Sequence, residues 1–167
     1  MKQQVRLSRR AVLAAGALFG LAGCGFELRK APVFAFKTLS IPGSSQLVVY
    51  LRRNIASAGT VEILPQARQS EAEAVLDILG ENRERAVLST NAAGEVRELE
   101  LRLTVRFRLR TPAGKELLVT EIAQKRDLTY NETNALAKEG ESELLYRDMQ
   151  NDVAQQMLRR MAAVKSL

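Results

Sequence analysis

The sequence predicts an α+β fold: a two-layer α/β sandwich of about four mostly antiparallel strands covered on one face by two helices, in the order β-α-β-β-β-α. Three observations predict it. Glu98–Arg110 alternates without a break over thirteen residues, apolar at Leu99, Leu101, Leu103, Val105, Phe107 and Leu109, polar between them. That is the two-residue period of a strand half-covered by another layer. Turn chemistry stands on both sides of it, Asn91-Ala92-Ala93-Gly94 before and Thr111-Pro112-Ala113-Gly114 after, so three long strands form an antiparallel meander. Two stretches carry apolar residues at helical spacing instead, Gln46–Ala58 and Glu139–Val164.

In chain order, Phe34–Ile41 reads as the first strand, stopped by Pro42-Gly43. Ser44 or Ser45 caps the first helix, whose apolar side is Leu47, Val48, Leu51, Ile55 and Ala58, and Gly59 ends it. Val61–Leu64 is a brief strand or part of the linker. Ala74–Ser89 is the first meander strand, with Ala74, Leu76, Ile78, Ala86 and Leu88 on one parity and Asp77, Glu81, Arg83 and Arg85 on the other. Gly80 marks a place for a bulge. Lys115–Tyr130 returns as the last strand, and Asn131–Lys138 connects it to the final helix. There Leu145, Met149, Val153, Met157 and Met161 recur every four residues, supported by Leu144, Ala154, Leu158 and Val164. The methionines follow a core stripe, which makes them packing residues rather than a soft-metal site. Glu139, Glu141 and Glu143 open this helix and Arg159, Arg160 and Lys165 close it, the favourable sense for the helix dipole.

The first 23 residues are set apart from the fold. Lys2, Arg6, Arg9 and Arg10 precede thirteen uncharged residues, Ala11–Gly23, a run too short to span a membrane but of the length of an export signal core. It ends in Leu21-Ala22-Gly23-Cys24, which resembles the lipobox of bacterial lipoproteins, where the cysteine is acylated and becomes the mature N-terminus. Cys24 is the only cysteine, so a mature disulfide cannot form within the chain. Ser8-Arg9-Arg10-Ala11-Val12-Leu13 also resembles a degenerate twin-arginine signal, and the export route stays open. The domain expectation is therefore residues 1–23 as a removed signal peptide, 24–33 as acylated N-terminus and tether, 34–164 as a single α/β domain and 165–167 as the end.

The whole chain carries 25 basic and 19 acidic residues; without the signal, 21 basic remain against 19 acidic. The basic excess thus belongs largely to the signal, which weakens a nucleic-acid reading. Histidine and tryptophan are absent, the one cysteine is committed to lipid, and no Gly-rich phosphate loop or calcium-loop pattern occurs. The sequence reads as that of a protein that is not an enzyme, with no metal and no cofactor beyond the diacylglyceryl and N-acyl chains on Cys24. The remaining signal is the polar side of Glu98–Arg110. It is basic on balance and is either a solvated face or a contact surface for a polar partner or anionic ligand; in the second case Arg102, Arg106, Arg108 and Arg110 are the guanidinium donors, able to grip phosphate in a bidentate fork.

Cys24-Gly25-Phe26-Glu27-Leu28-Arg29 resembles the mature start of the lipopolysaccharide-assembly lipoprotein family LptE. The long alternating strand, the Pro/Gly hairpin, Leu136-Ala137-Lys138 and the Arg-Asp-Met-x-x-Asp run at Arg147–Asp152 follow in the family's order. The resemblance implies an outer-membrane lipoprotein that sits in the lumen of the LptD β-barrel, plugs it, helps it assemble and binds lipopolysaccharide on its way to the outer leaflet. Gly25 after the acylated cysteine is compatible with sorting to the outer membrane. Lys138 matches the basic position of the family's lipopolysaccharide-contacting stretch; Arg106 and Arg108 join it as candidate ligand residues, and Arg102, Thr104 and Arg110 as the barrel-contact face. The tip Asn91–Gly94 lacks a basic residue that relatives can show there. A periplasm-facing lipid-binding chaperone lipoprotein, and a structural lipoprotein docking on another barrel or on peptidoglycan, are the alternatives from other classes.

Overall fold

The computed structural model describes residues 32–167; the signal peptide, Cys24 and most of the tether lie outside the described residues. The elements run β1 (Thr38–Ser40), α1 (Gln46–Ala58), β2 (Glu62–Leu64), β3 (Ala74–Thr90), β4 (Val96–Arg110), β5 (Glu116–Thr129) and α2 (Ala135–Ala162). The strands form one five-stranded sheet in the order β2-β1-β3-β4-β5, with both helices on one face. The two-layer α+β class is the one expected. The sheet has five strands rather than about four because Glu62–Leu64 pairs parallel to β1. The first strand is shorter than Phe34–Ile41: β1 is flanked by β2 and β3 only over its three residues. Phe34 and Phe36 instead stack on each other with centroids 5.1 Å apart, and Phe36 is buried.

Long β3, β4 and β5 form the antiparallel meander, and β4 lies between its two partners. Its odd residues Leu101, Leu103, Val105, Phe107 and Leu109 are all fully buried. Each is covered by a helix layer and flanked by two paired strands, which is what an unbroken alternation requires. Asn91 builds the first hairpin: its Oδ1 accepts from the N–H groups of Ala93 (3.0 Å) and Glu95 (2.9 Å), and Gly94 takes φ 84°.

α1 has the expected bounds. Ser45 accepts from Val48 N–H at 3.3 Å, and Gly59 closes the helix at φ 65°. α2 starts four residues before the expected Glu139, so Ala135-Leu136-Ala137-Lys138 is its first turn rather than a connection. Alanine, leucine and lysine are strong helix formers, and no proline or cap precedes Glu139 to stop them. Glu139, Glu141 and Glu143 consequently sit beyond the first turn, which holds no acid; Arg159 and Arg160 do occupy the last. Met149, Val153, Met157 and Met161 are fully buried against the sheet, whereas Leu144, expected to support the stripe, is 59% exposed.

The main departure lies in β3. Ile78 pairs with Phe107 but Gly80 pairs with Arg106, leaving Leu79 as an extra residue. This bulge reverses the strand's parity. Before it, Leu76 and Ile78 face the helices and Asp77 faces away; after it, Glu81, Arg83 and Arg85 face the helices. The expected grouping of Asp77 with Glu81, Arg83 and Arg85 on one side is therefore corrected, and so is that of Ala86 with the core residues, since Ala86 lies opposite Glu100. Leu88 is the extra residue of a second irregularity, between Val87 and Ser89, and is 49% exposed.

Candidate functional site

The face of β3–β4–β5 turned away from the helices is the candidate site. Register places Arg110, Arg108, Arg106, Thr104, Arg102 and Glu100 along its centre line. β3 contributes Asp77, Gly80, Asn82, Glu84 and Ala86 beside them, and β5 contributes Val119, Glu121, Ala123, Lys125 and Asp127.

The four arginines are not equivalent. Asp77 accepts from Arg110 Nε at 2.7 Å and from Arg108 Nη2 at 2.9 Å. Its side chain is only 16% exposed, and that burial pushes its carboxyl upward; the two guanidiniums more than offset this and hold it below the usual aspartate range. Arg108 also reaches Glu116 at 3.3 Å. Arg102 pairs with Glu100, which Lys125 approaches at 3.3 Å; these bonds, that of Arg102 first, hold the Glu100 carboxyl below its ordinary value. Arg102, Arg108 and Arg110 are thus committed to carboxylates. Arg106 is exposed and carries no ion pair among the described residues. It stands over a cleft lined by Gly80, Asn82, Glu84, Thr104 and Glu121, where the missing Gly80 side chain leaves open space. The strand read as basic on balance belongs to a charge-balanced face, because β3 and β5 bring the acids.

Lys138 lies in the other layer. It is on α2 and pairs with Glu141, one turn on, at 2.7 Å. The structure therefore keeps Arg106 and Arg108 together on the open sheet face and places Lys138 on the helix layer, across the sheet from them.

A second polar cluster was missed in the sequence. The N-terminal half of α2 is fastened to β3 by polar contacts rather than by apolar packing. Arg85 donates to both Glu139 oxygens (2.8 and 2.7 Å) and to Ser142 Oγ (2.9 Å). Arg83 reaches Glu143 at 3.2 Å and lies 4.9 Å from the Tyr146 ring centroid, and the Tyr146 hydroxyl donates to the Glu84 carbonyl at 2.7 Å. The Arg85 bond holds the Glu139 carboxyl below its ordinary value. The available signal was Gly80: a bulge there turns three charged residues toward the helix.

The family model described as LptE, lipopolysaccharide-assembly, matches residues 36–161, most of the chain and all of this sheet. The chain belongs to the LptE family. It is 25% identical over 153 residues to the LPS-assembly lipoprotein LptE of Pectobacterium atrosepticum, covering 86% of this chain and 79% of that one. It is 28% identical over 153 residues to the protein of the same name from Yersinia enterocolitica, covering 86% and 70%. Among solved structures, uncharacterized lipoprotein B from Nitrosomonas europaea superposes with a TM-score of 0.70 at 34% identity, over 83% of this chain and 91% of that one. Rare lipoprotein B from Shewanella oneidensis gives 0.65 at 29%, over 76% and 95%. These two solved lipoproteins share the two-layer fold described above.

Proposed function

We propose that this chain is an outer-membrane lipoprotein, held by acyl chains on Cys24, whose domain occupies and helps assemble an LptD-type barrel and binds lipopolysaccharide as it passes to the outer leaflet. One observation carries the reading beyond family membership. The open sheet face is long and polar and carries both signs of charge: Arg102, Arg108, Arg110 and Lys125 are paired to Glu100, Asp77 and Glu116, while Arg106, Glu84, Glu121 and Asp127 carry no ion pair among the described residues. Barrel lumens are polar and commonly plugged. A wall contact of that kind needs a face that presents hydrogen-bonding groups without a large uncompensated field, and the Asp77 and Glu100 networks supply it. Three acyl chains, at about 0.8 kcal/mol per buried CH₂, give attachment without a membrane-spanning helix. The role is binding and assembly, with no covalent chemistry assigned to any side chain of the domain.

Within this reading Arg106 is the cation for an anionic ligand, with Arg108 beside it. Lys138 is a separate contact on the helix layer, and Arg102, Thr104 and Arg110 meet the barrel. A guanidinium–phosphate hydrogen bond contributes about 1.5 kcal/mol, roughly a tenfold change in affinity. The Arg106→Glu variant of the lipidated protein in detergent is expected to bind lipopolysaccharide at least tenfold more weakly at low salt, with the difference narrowing at high salt. Unchanged affinity at both salt concentrations, with unchanged circular dichroism, would remove Arg106 from the ligand site. The same titration on Lys138→Asp separates the two layers: loss in one variant alone assigns the ligand to one face.

A further inference from the structure

The two outer edges of the meander are treated differently. On β5, Arg160 donates to the main-chain carbonyl of Glu121 at 2.9 Å and Arg126 donates to that of Lys125 at 2.9 Å, so guanidiniums cap two of that edge's outward carbonyls. On β3, β1 pairs only at Ala74 and Val75, and the rest of the strand, to Thr90, has no strand partner on that side among the described residues. The direction of its free groups follows from register. Tyr130 N–H donates to the Arg97 carbonyl, so odd residues of β4 bond to β5 and even ones to β3. Gly80, Asn82, Glu84 and Ala86 lie opposite even β4 residues. Glu81, Arg83, Arg85 and Val87 therefore direct their N–H and C=O groups outward.

We infer that the β3 edge from Gly80 to Val87 is a strand-addition site for an extended segment of the barrel partner. A row of alternating main-chain donors and acceptors is matched by another extended polypeptide, not by a sugar or a phosphate. The side chains flanking it suit a weakly charged strand: Arg83 and Arg85 are already paired to Glu143 and Glu139, Gly80 is bare and Ala86 is small. Exposed Val87 and Leu88 supply apolar anchors at its far end. β1 runs parallel to β3, so the described chain enters the sheet from the end away from Gly80–Val87. The wall of a closed barrel has no free main-chain groups, so the segment is a loop or terminal extension of the partner.

The inference rests on the barrel reading, and one experiment separates the two. Hydrogen exchange, resolved to single amides, is measured on the full lipidated chain alone and in the complex that co-purifies with its barrel. The amides of Glu81, Arg83, Arg85 and Val87 are expected to slow at least about tenfold in the complex, while those of Ala123 and Asp127, on the β5 edge, stay within about threefold. Co-purification without slowing on β3 overturns the strand addition and leaves the plug standing. Equal slowing on both edges overturns it in favour of general shielding. Slowing that appears in the chain alone as its concentration rises assigns the edge to a second copy. Failure to recover any barrel removes both readings.

Discussion

Replacing Phe107 by alanine is expected to lower the unfolding free energy by about 3–5 kcal/mol, the largest loss of any single side-chain truncation considered. Phe107 is fully buried in the C-terminal part of β4, paired with Ile78 on one side and Thr120 on the other, within the cluster that α1 and α2 cover. Truncation removes the ring's transfer energy and leaves a cavity in a layer fixed by two flanking strands, which cannot collapse to fill it. A domain of this size holds about 5–15 kcal/mol in total, so the variant approaches the threshold of folding. Urea denaturation followed by circular dichroism checks this. Phe107→Leu, which keeps most of the volume, is expected to cost less than half as much. Equal stability of the alanine variant and the parent would mean that the β4 alternation does not define the core.

Deleting Leu79 is the second large effect. The side chain itself is 45% exposed, so Leu79→Ala is expected to change stability by no more than about 0.5 kcal/mol. Removing the residue is different, because its presence sets parity. Without the extra residue, either Ala74–Ile78 or Gly80–Val87 must turn over. The first exposes Leu76 and Ile78 and buries Asp77; the second carries Arg83 and Arg85 away from Glu143 and Glu139 and puts Asn82 and Glu84 against Tyr146. Either outcome strands polar groups or exposes core, at roughly 3 kcal/mol or more. The pair of variants separates the two roles by thermal melts, and a deletion as mild as the alanine substitution would show that the bulge does not set the parity of β3.

How far the sequence could be read follows from where each interaction's partners lie. β4 was legible because it lies between two long strands under a helix layer, so one rule governs all its residues. The hairpin tips and the α1 caps were legible because Asn91, Gly94, Ser45 and Gly59 act on neighbours within a few positions. β3 was legible in extent but not in facing: a bulge is a property of the pair of strands, and Gly80 marks only its place. The start of α2 is not legible, because the Ala-Leu-Ala-Lys turn carries no cap signal although its propensity is high. The site was half legible. The alternation put Arg102, Arg106, Arg108 and Arg110 on one face. Which of them is free depends on Asp77, 31 positions before Arg108, and on Lys125, 25 positions from Glu100. The polar clamp under α2 joins residues 54 and 60 positions apart, and no local pattern announces it.

These same long-range pairs balance Arg102, Arg108, Arg110 and Lys125 on the open sheet face, and the proposed seat in a barrel lumen depends on that balance. The most direct test is recovery of the tagged, lipidated chain from detergent-solubilised outer membrane, with protease digestion of what is recovered. The account predicts stoichiometric recovery of one large β-barrel protein, with the sheet of β3–β5 protected while the barrel is present. Recovery of the lipoprotein alone, fully cleavable in the β3–β5 region, would contradict it and leave the face as solvated surface.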